Sequence, residues 1–207
     1  MFDYKQFAIG GGSKNKASKE TIRPVLPSGI KGLIFKVRML FLPMKNKMDL
    51  LRPYFHYMGR NVKLFSPILS SESYLISIED NVICAAGVRF ITHDASVSNN
   101  LRMSPGSQID KVGPIVLHEN CFIGAYTILM PNCSVGKNSI VAAGSVVSKH
   151  IPDNEVWGGA PAKFITTVDK LIAKRIEESK DLPWFIDGKK LSGNELVVSR
   201  EKYYFKD

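Results

Sequence analysis

Proton transfer near neutral pH falls most naturally to histidine, whose reference pKa is ~6.5, and the chain carries four: His56, His93, His118 and His150. A single imidazole positioned as a general base toward a hydroxyl contributes roughly 10² to 10⁴ in rate. A zinc-hydroxide enzyme of the carbonic anhydrase kind needs three protein ligands and one open position. His93 and His118 are 25 residues apart and no two histidines lie close together, so no metal is expected. Cys84, Cys121 and Cys133 form no CxxC motif and cannot all pair, which reads as reduced structural cysteine. Lys149 and Lys163 suit phosphate contact or plain surface solvation equally well. His93 stands apart because a periodic pattern stops beside it.

That pattern is a period of six. Leu117, Ile123, Leu129, Val135, Val141 and Val147 are six apart. Four positions after each comes Cys121, Thr127, Cys133, Ser139, Ser145 or Ile151, mostly small. A helix repeats at 3.6 and a simple strand at two, whereas a short strand followed by a tight corner repeats at six. Three such hexads close a triangular turn, so residue i lies under i+18 at one strand spacing of roughly 4.8 Å. The prediction is a mainly β chain, a parallel β-helix, with Leu117 stacked on Val135, Ile123 on Val141, Leu129 on Val147 and Thr127 on Ser145. The cysteines take the small inward positions.

Upstream the same period runs through Met58 and Leu64 and then, after a two-residue slip, through Ile78, Cys84 and Phe90. Between Phe90 and Leu117 the spacing is 27, which is not a multiple of six, and the polar stretch 94–114 must leave the prism as a loop. Long loops in compact domains are functional or disordered, and this one begins beside His93. The chain therefore divides into a basic N-terminal helical extension over 1–57, the coil over 58–165 and a C-terminal helix and tail over 166–207. In the extension, Ile30, Leu33, Ile34, Val37 and Phe41 form a helical stripe among Lys31, Lys36 and Arg38, ended by Pro43. Its apolar face would pack on the coil or lie on a membrane surface. Past the coil, Thr166 or Thr167 caps a helix through Lys180 with Asp169 in its first turn, and a turn at Asp187-Gly188 leads into a tail or edge strands.

With 44% hydrophobic and 23% charged residues the composition is that of a globular protein. Its net charge of +9 is concentrated in residues 1–63, which hold 13 Lys and Arg against three acids, Asp3, Glu20 and Asp49. Such a segment attracts phospholipid, nucleic acid or an anionic substrate, or is only a solvated face. Aromatic and basic residues do not interleave as in nucleic-acid modules, so no nucleic acid is expected. No apolar run approaches the roughly 20 residues of a membrane span, and the first residues lack a secretory pattern. A cytoplasmic location follows.

The coil over 58–166 resembles the left-handed β-helix acyltransferases, in particular the galactoside, maltose, xenobiotic and capsular-polysaccharide O-acetyltransferases. The segment Phe90-Ile91-Thr92-His93-Asp94 is similar to the one that carries their catalytic histidine before an extruded loop. Ile123-Gly124-Ala125-Tyr126-Thr127 and the stretch from Val141 to Lys149 resemble their two coenzyme-lining hexads, and the stretch from Trp157 to Lys163 their closing Gly-x-Pro-Ala-Lys turn. The resemblance implies left-handed coiling, acetyl-coenzyme A as cosubstrate and a homotrimer with sites between neighbouring prisms. It assigns His93 as general base and Ala125, Ala143, Ser148, Lys149 and Lys163 as coenzyme contacts. Where some sugar acetyltransferases carry a basic residue, Thr166 stands here. The expected function is O-acetylation of a sugar or polysaccharide precursor, with a xenobiotic acetyltransferase or a non-catalytic trimeric scaffold as the alternatives. Asp94 is the nearest carboxylate to orient His93, although neighbours on a strand point to opposite faces.

Overall fold

The computed structural model describes residue 24 and residues 26–96, 111–186 and 188–205. Its centre is a parallel coil with three faces. The first face carries β1 (Tyr57–Met58), β3 (Ile76–Ile78), β6 (Ile115–Leu117), β9 (Cys133–Val135) and β12 (His150–Ile151). On the second lie β2 (Lys63–Leu64), β4 (Ile83–Cys84), β7 (Phe122–Ile123), β10 (Ile140–Val141) and β13 (Glu155–Gly158), with β14 (Lys163–Thr167) added antiparallel. The third has β5 (Arg89–Phe90), β8 (Ile128–Leu129) and β11 (Val146–Val147). Leu117 pairs with Val135, Ile123 with Val141 and Leu129 with Val147, the stacking that a step of 18 requires.

Large aliphatic side chains fill the prism because alternate strand positions point inward: Ile78, Leu117, Val135, Leu129 and Ile123 are fully buried. Small residues occupy the corners, and their hydroxyls are satisfied by backbone, as where Ser145 Oγ donates to the Ala142 carbonyl at 2.6 Å. Cys84, Cys121 and Cys133 are free and buried; burial pushes the Cys133 thiol up to about 12, leaving it protonated and inert at neutral pH. Between the first and second faces, Asn61, Asn81, Asn120, Asn138 and Asn154 all adopt left-handed backbone, φ 53 to 60°, a conformation asparagine tolerates better than other side chains. Each amide nitrogen donates to the next oxygen at 2.9 to 3.1 Å, forming a ladder up that corner.

Trp157 takes the inward position above Val141 and closes the far end of the prism. Its indole N–H donates to Glu155 at 2.6 Å, and Lys149 Nζ lies 5.0 Å from the ring centroid. At the near end, α1 (Gly29–Phe41) and α2 (Met44–Leu51) cover the first coil. Pro43, read as the end of one helix, also starts the next, a position at which its missing N–H costs nothing. Of the two expectations for the stripe, packing on the coil or lying on a membrane surface, the first does not hold: Ile30, Leu33, Ile34, Val37 and Phe41 are exposed, while Phe35 and Met39 pack inward and the buried Gly32 sits against Pro27. After the coil, α3 (Val168–Ser179) is capped by Thr167, whose hydroxyl accepts from Lys170 N. β15 (Phe185–Ile186) and β16 (Lys189–Lys190) form a hairpin across the expected turn, and α4 (Gly193–Tyr204) takes the rest of the stretch expected as a tail or edge strands.

Candidate active site

The coil gains residues twice, both times at one corner, between the third and first faces, and at that corner it later loses two, since His150 pairs with Ser134 only 16 residues back. Lys63 pairs with Ile83, 20 residues on instead of 18. The extra residues sit past Ile68, whose partner is Arg89, and before β3, in the stretch Leu69–Leu75. In the next coil Ile76 pairs with Ile115, 39 residues on, 21 more than a regular turn of 18. Those 21 are 94–114, of which 97–110 lie outside the described residues. The feet of this insertion are joined: His93 bridges Val112 in antiparallel fashion, Asp94 N donates to the Lys111 carbonyl at 2.8 Å and Gly113 N to the Thr92 carbonyl at 2.8 Å.

The two insertions bring Glu72 to His93. His93 Nδ1 stands 3.5 Å from Glu72 Oε1, with the imidazole about one-third exposed and the carboxylate largely buried. Glu72 is held in turn: Ser70 and Ser71 hydroxyls donate to it at 2.6 and 2.7 Å, and Thr92 at 3.1 Å. Ser73 Oγ, itself buried, donates back to the Ser70 carbonyl and fixes the turn. Partial burial pushes the Glu72 carboxyl upward, but the hydrogen bonds from Ser70, Ser71, its own backbone and Thr92 outweigh it and hold the group at about 2. Glu72 is therefore a carboxylate throughout the neutral range, aimed at one ring nitrogen.

Asp94, the nearest carboxylate in sequence, serves the insertion instead. It accepts from Ser96 N at 3.1 Å and pairs with Lys111 at 3.3 Å, contacts that hold it at about 2. Nothing in the sequence singled out Glu72 as a partner for His93; the only signal was the two-residue slip between Leu64 and Ile78, which is the bulge that carries it. The other histidines have structural partners: His118 Nδ1 lies 3.1 Å from Glu79, and His150 Nδ1 lies 2.7 Å from Ser134 Oγ. Among the described residues no group of three His, Cys, Asp or Glu side chains could hold a metal ion.

Four of the five predicted coenzyme contacts divide between the two edges of the third face. Ala125 and Ala143 stack at the edge shared with the second face, where Gly144 N donates to the Ala125 carbonyl at 2.8 Å. Gly124 is required beneath them, since a Cβ there would lie 2.4 Å from Ala143 N. Ser148 and Lys149 are exposed past β11 at the edge shared with the first face, the corner that also carries His93. Lys163 is exposed at the start of β14, paired with Gly158. Thr166 lies opposite Val156 in the same pair of strands.

Residues 114–149 match the family described as bacterial transferase hexapeptide (six repeats). Over 150 residues the chain is 30% identical to a galactoside O-acetyltransferase of Lactococcus lactis, covering 70% of this chain and 67% of that protein. This chain belongs to the hexapeptide-repeat acetyltransferase family. It is also 35% identical over 109 residues to protein CapG of Staphylococcus aureus, covering 53% of this chain and 62% of CapG. The chain spans about three fifths of the length of the first curated relatives it matches. Among solved structures, a maltose O-acetyltransferase from Clostridium difficile superposes with a TM-score of 0.52 at 24% identity, covering 65% of this chain and 83% of that one, a likeness of fold.

Proposed function

We propose that this chain transfers acetyl from acetyl-coenzyme A to a hydroxyl of a saccharide or polysaccharide precursor, with His93 as general base. The observation that carries the reading is the Glu72–His93 pair at the foot of the insertion. An alcohol is a poor nucleophile while it keeps its proton. With Nδ1 directed at Glu72, the Nε2 side of the ring takes the proton as the acceptor oxygen attacks the thioester carbonyl. Glu72 stabilises the imidazolium that forms. As the C–S bond breaks, His93 returns that proton to the departing thiolate, so the balance closes without an acyl-enzyme. The bound thioester supplies the activated acetyl group; everything else is positioning by this chain.

The family's coenzyme fits the residues present. Ala125, Ala143 and Gly144 are small along one edge of the third face, beside the exposed Tyr126 ring that leans over Gly87, and Ser148, Lys149 and Lys163 offer a hydroxyl and two exposed cations for its phosphates. The galactoside O-acetyltransferases among the relatives support a saccharide acceptor. The left-handed sense of the coil, assembly as a homotrimer and action in the cytoplasm complete the reading. A panel of galactosides, maltose, capsular oligosaccharides and antibiotics, offered with acetyl-coenzyme A and followed by thiol release, tests it. Acceptor-dependent release with a saccharide is expected. Release with antibiotics alone, or none with any acceptor, contradicts the reading.

A further inference from the structure

The outer face of α1 is built unlike a helix that ends at its own protein. At 100° per residue, Ile30, Leu33, Ile34, Val37, Leu40 and Phe41 fall within one arc of about 120°, and all six are exposed, Ile30 at 79% and Phe41 at 82%. The opposite face is already used, with Gly32 against Pro27 and the Phe35 ring edge-on to Tyr54 at 5.7 Å. Lys31 and Arg38, both exposed, stand along one margin of the apolar arc, and the backbone position of Lys36 falls along the other. Residues 1–63 hold ten more basic than acidic residues, whereas 64–207 hold 15 against 16. At 13 residues the helix is about 20 Å long, too short to cross a bilayer.

We propose that α1 lies flat on an anionic phospholipid surface, inserting Ile30, Leu33, Ile34, Val37, Leu40 and Phe41 below the headgroups. An apolar arc with cations at its margins fits that interface, because the side chains reach the acyl region while the cations stay at the phosphate level. Charge complementarity selects this occupant over a second copy of the chain, whose own α1 would bring the same positive charge against it. The inference is independent of the acetyl-transfer reading. Flotation of the purified full chain with vesicles of phosphatidylcholine alone, or mixed with phosphatidylglycerol, tests it. The protein is expected to float with the anionic vesicles only. Replacing Leu33→Asp with Ile34→Asp should lower the bound fraction roughly tenfold or more. Lys31→Glu with Arg38→Glu, which touches no packed surface, should do so at low salt. A chain that stays at the bottom of the gradient, or a Leu33→Asp/Ile34→Asp variant that floats like the wild type, overturns the proposal. A fall in oligomeric mass in that variant, measured by sedimentation, overturns it too, because the face is then a contact between protein chains.

Discussion

In the proposed mechanism, Glu72 decides how well His93 can act. Removing the carboxylate's charge with Glu72→Gln keeps its size, so its effect reports on electrostatics and orientation rather than on packing. The variant should lose roughly 10 to 100-fold in kcat with KM for acetyl-coenzyme A little changed. A variant with kcat within a few-fold of the wild type would show that Glu72 does not act through His93. The same carboxylate makes stability depend on pH. Its folded value, about 2, lies below the ordinary 4.5, so its contribution is present above about 4.5 and is lost as pH falls toward about 2. Urea unfolding at a series of pH values should show the wild type losing more stability over that window than Glu72→Gln.

The elements differ in how openly the residues announce them. The coil was legible because its rule repeats: every sixth residue is aliphatic, so Leu117 on Val135 and Ile123 on Val141 follow from spacing alone. The helix α3 was legible from a capping threonine before an amphipathic run. The helix α4 was not, because Val197 and Val198 are adjacent and mark no single face. Glu72 escaped for a related reason: it sits in a non-repeating corner, where period carries no information and only folding brings it beside a residue 21 positions on. The outward turn of the α1 stripe was hidden because a periodic pattern gives a face but not its direction. The asparagine ladder is the element most open to test. Asn120→Ala removes two ladder hydrogen bonds and puts alanine at φ 60°, and should cost about 1 to 3 kcal/mol in urea unfolding. Asn120→Gly, free of the backbone strain, should cost less.

At the scale of the whole molecule, a repeat supplies the walls and, in the proposed mechanism, two insertions into it supply the chemistry. The bulge of the first coil delivers Glu72, the insertion of the second begins at His93, and the third and fourth coils present Ala125, Ala143, Ser148 and Lys149, the last two at a corner shortened by two residues. A regular prism without those departures would be a scaffold. The measurement that separates an enzyme using this corner from such a scaffold is the rate of acceptor-dependent thiol release by His93→Ala at saturating acetyl-coenzyme A. Loss of the general base predicts a fall of roughly 10² to 10⁴ in kcat, with coenzyme binding retained. Turnover within a few-fold of the wild type would contradict the assignment of His93.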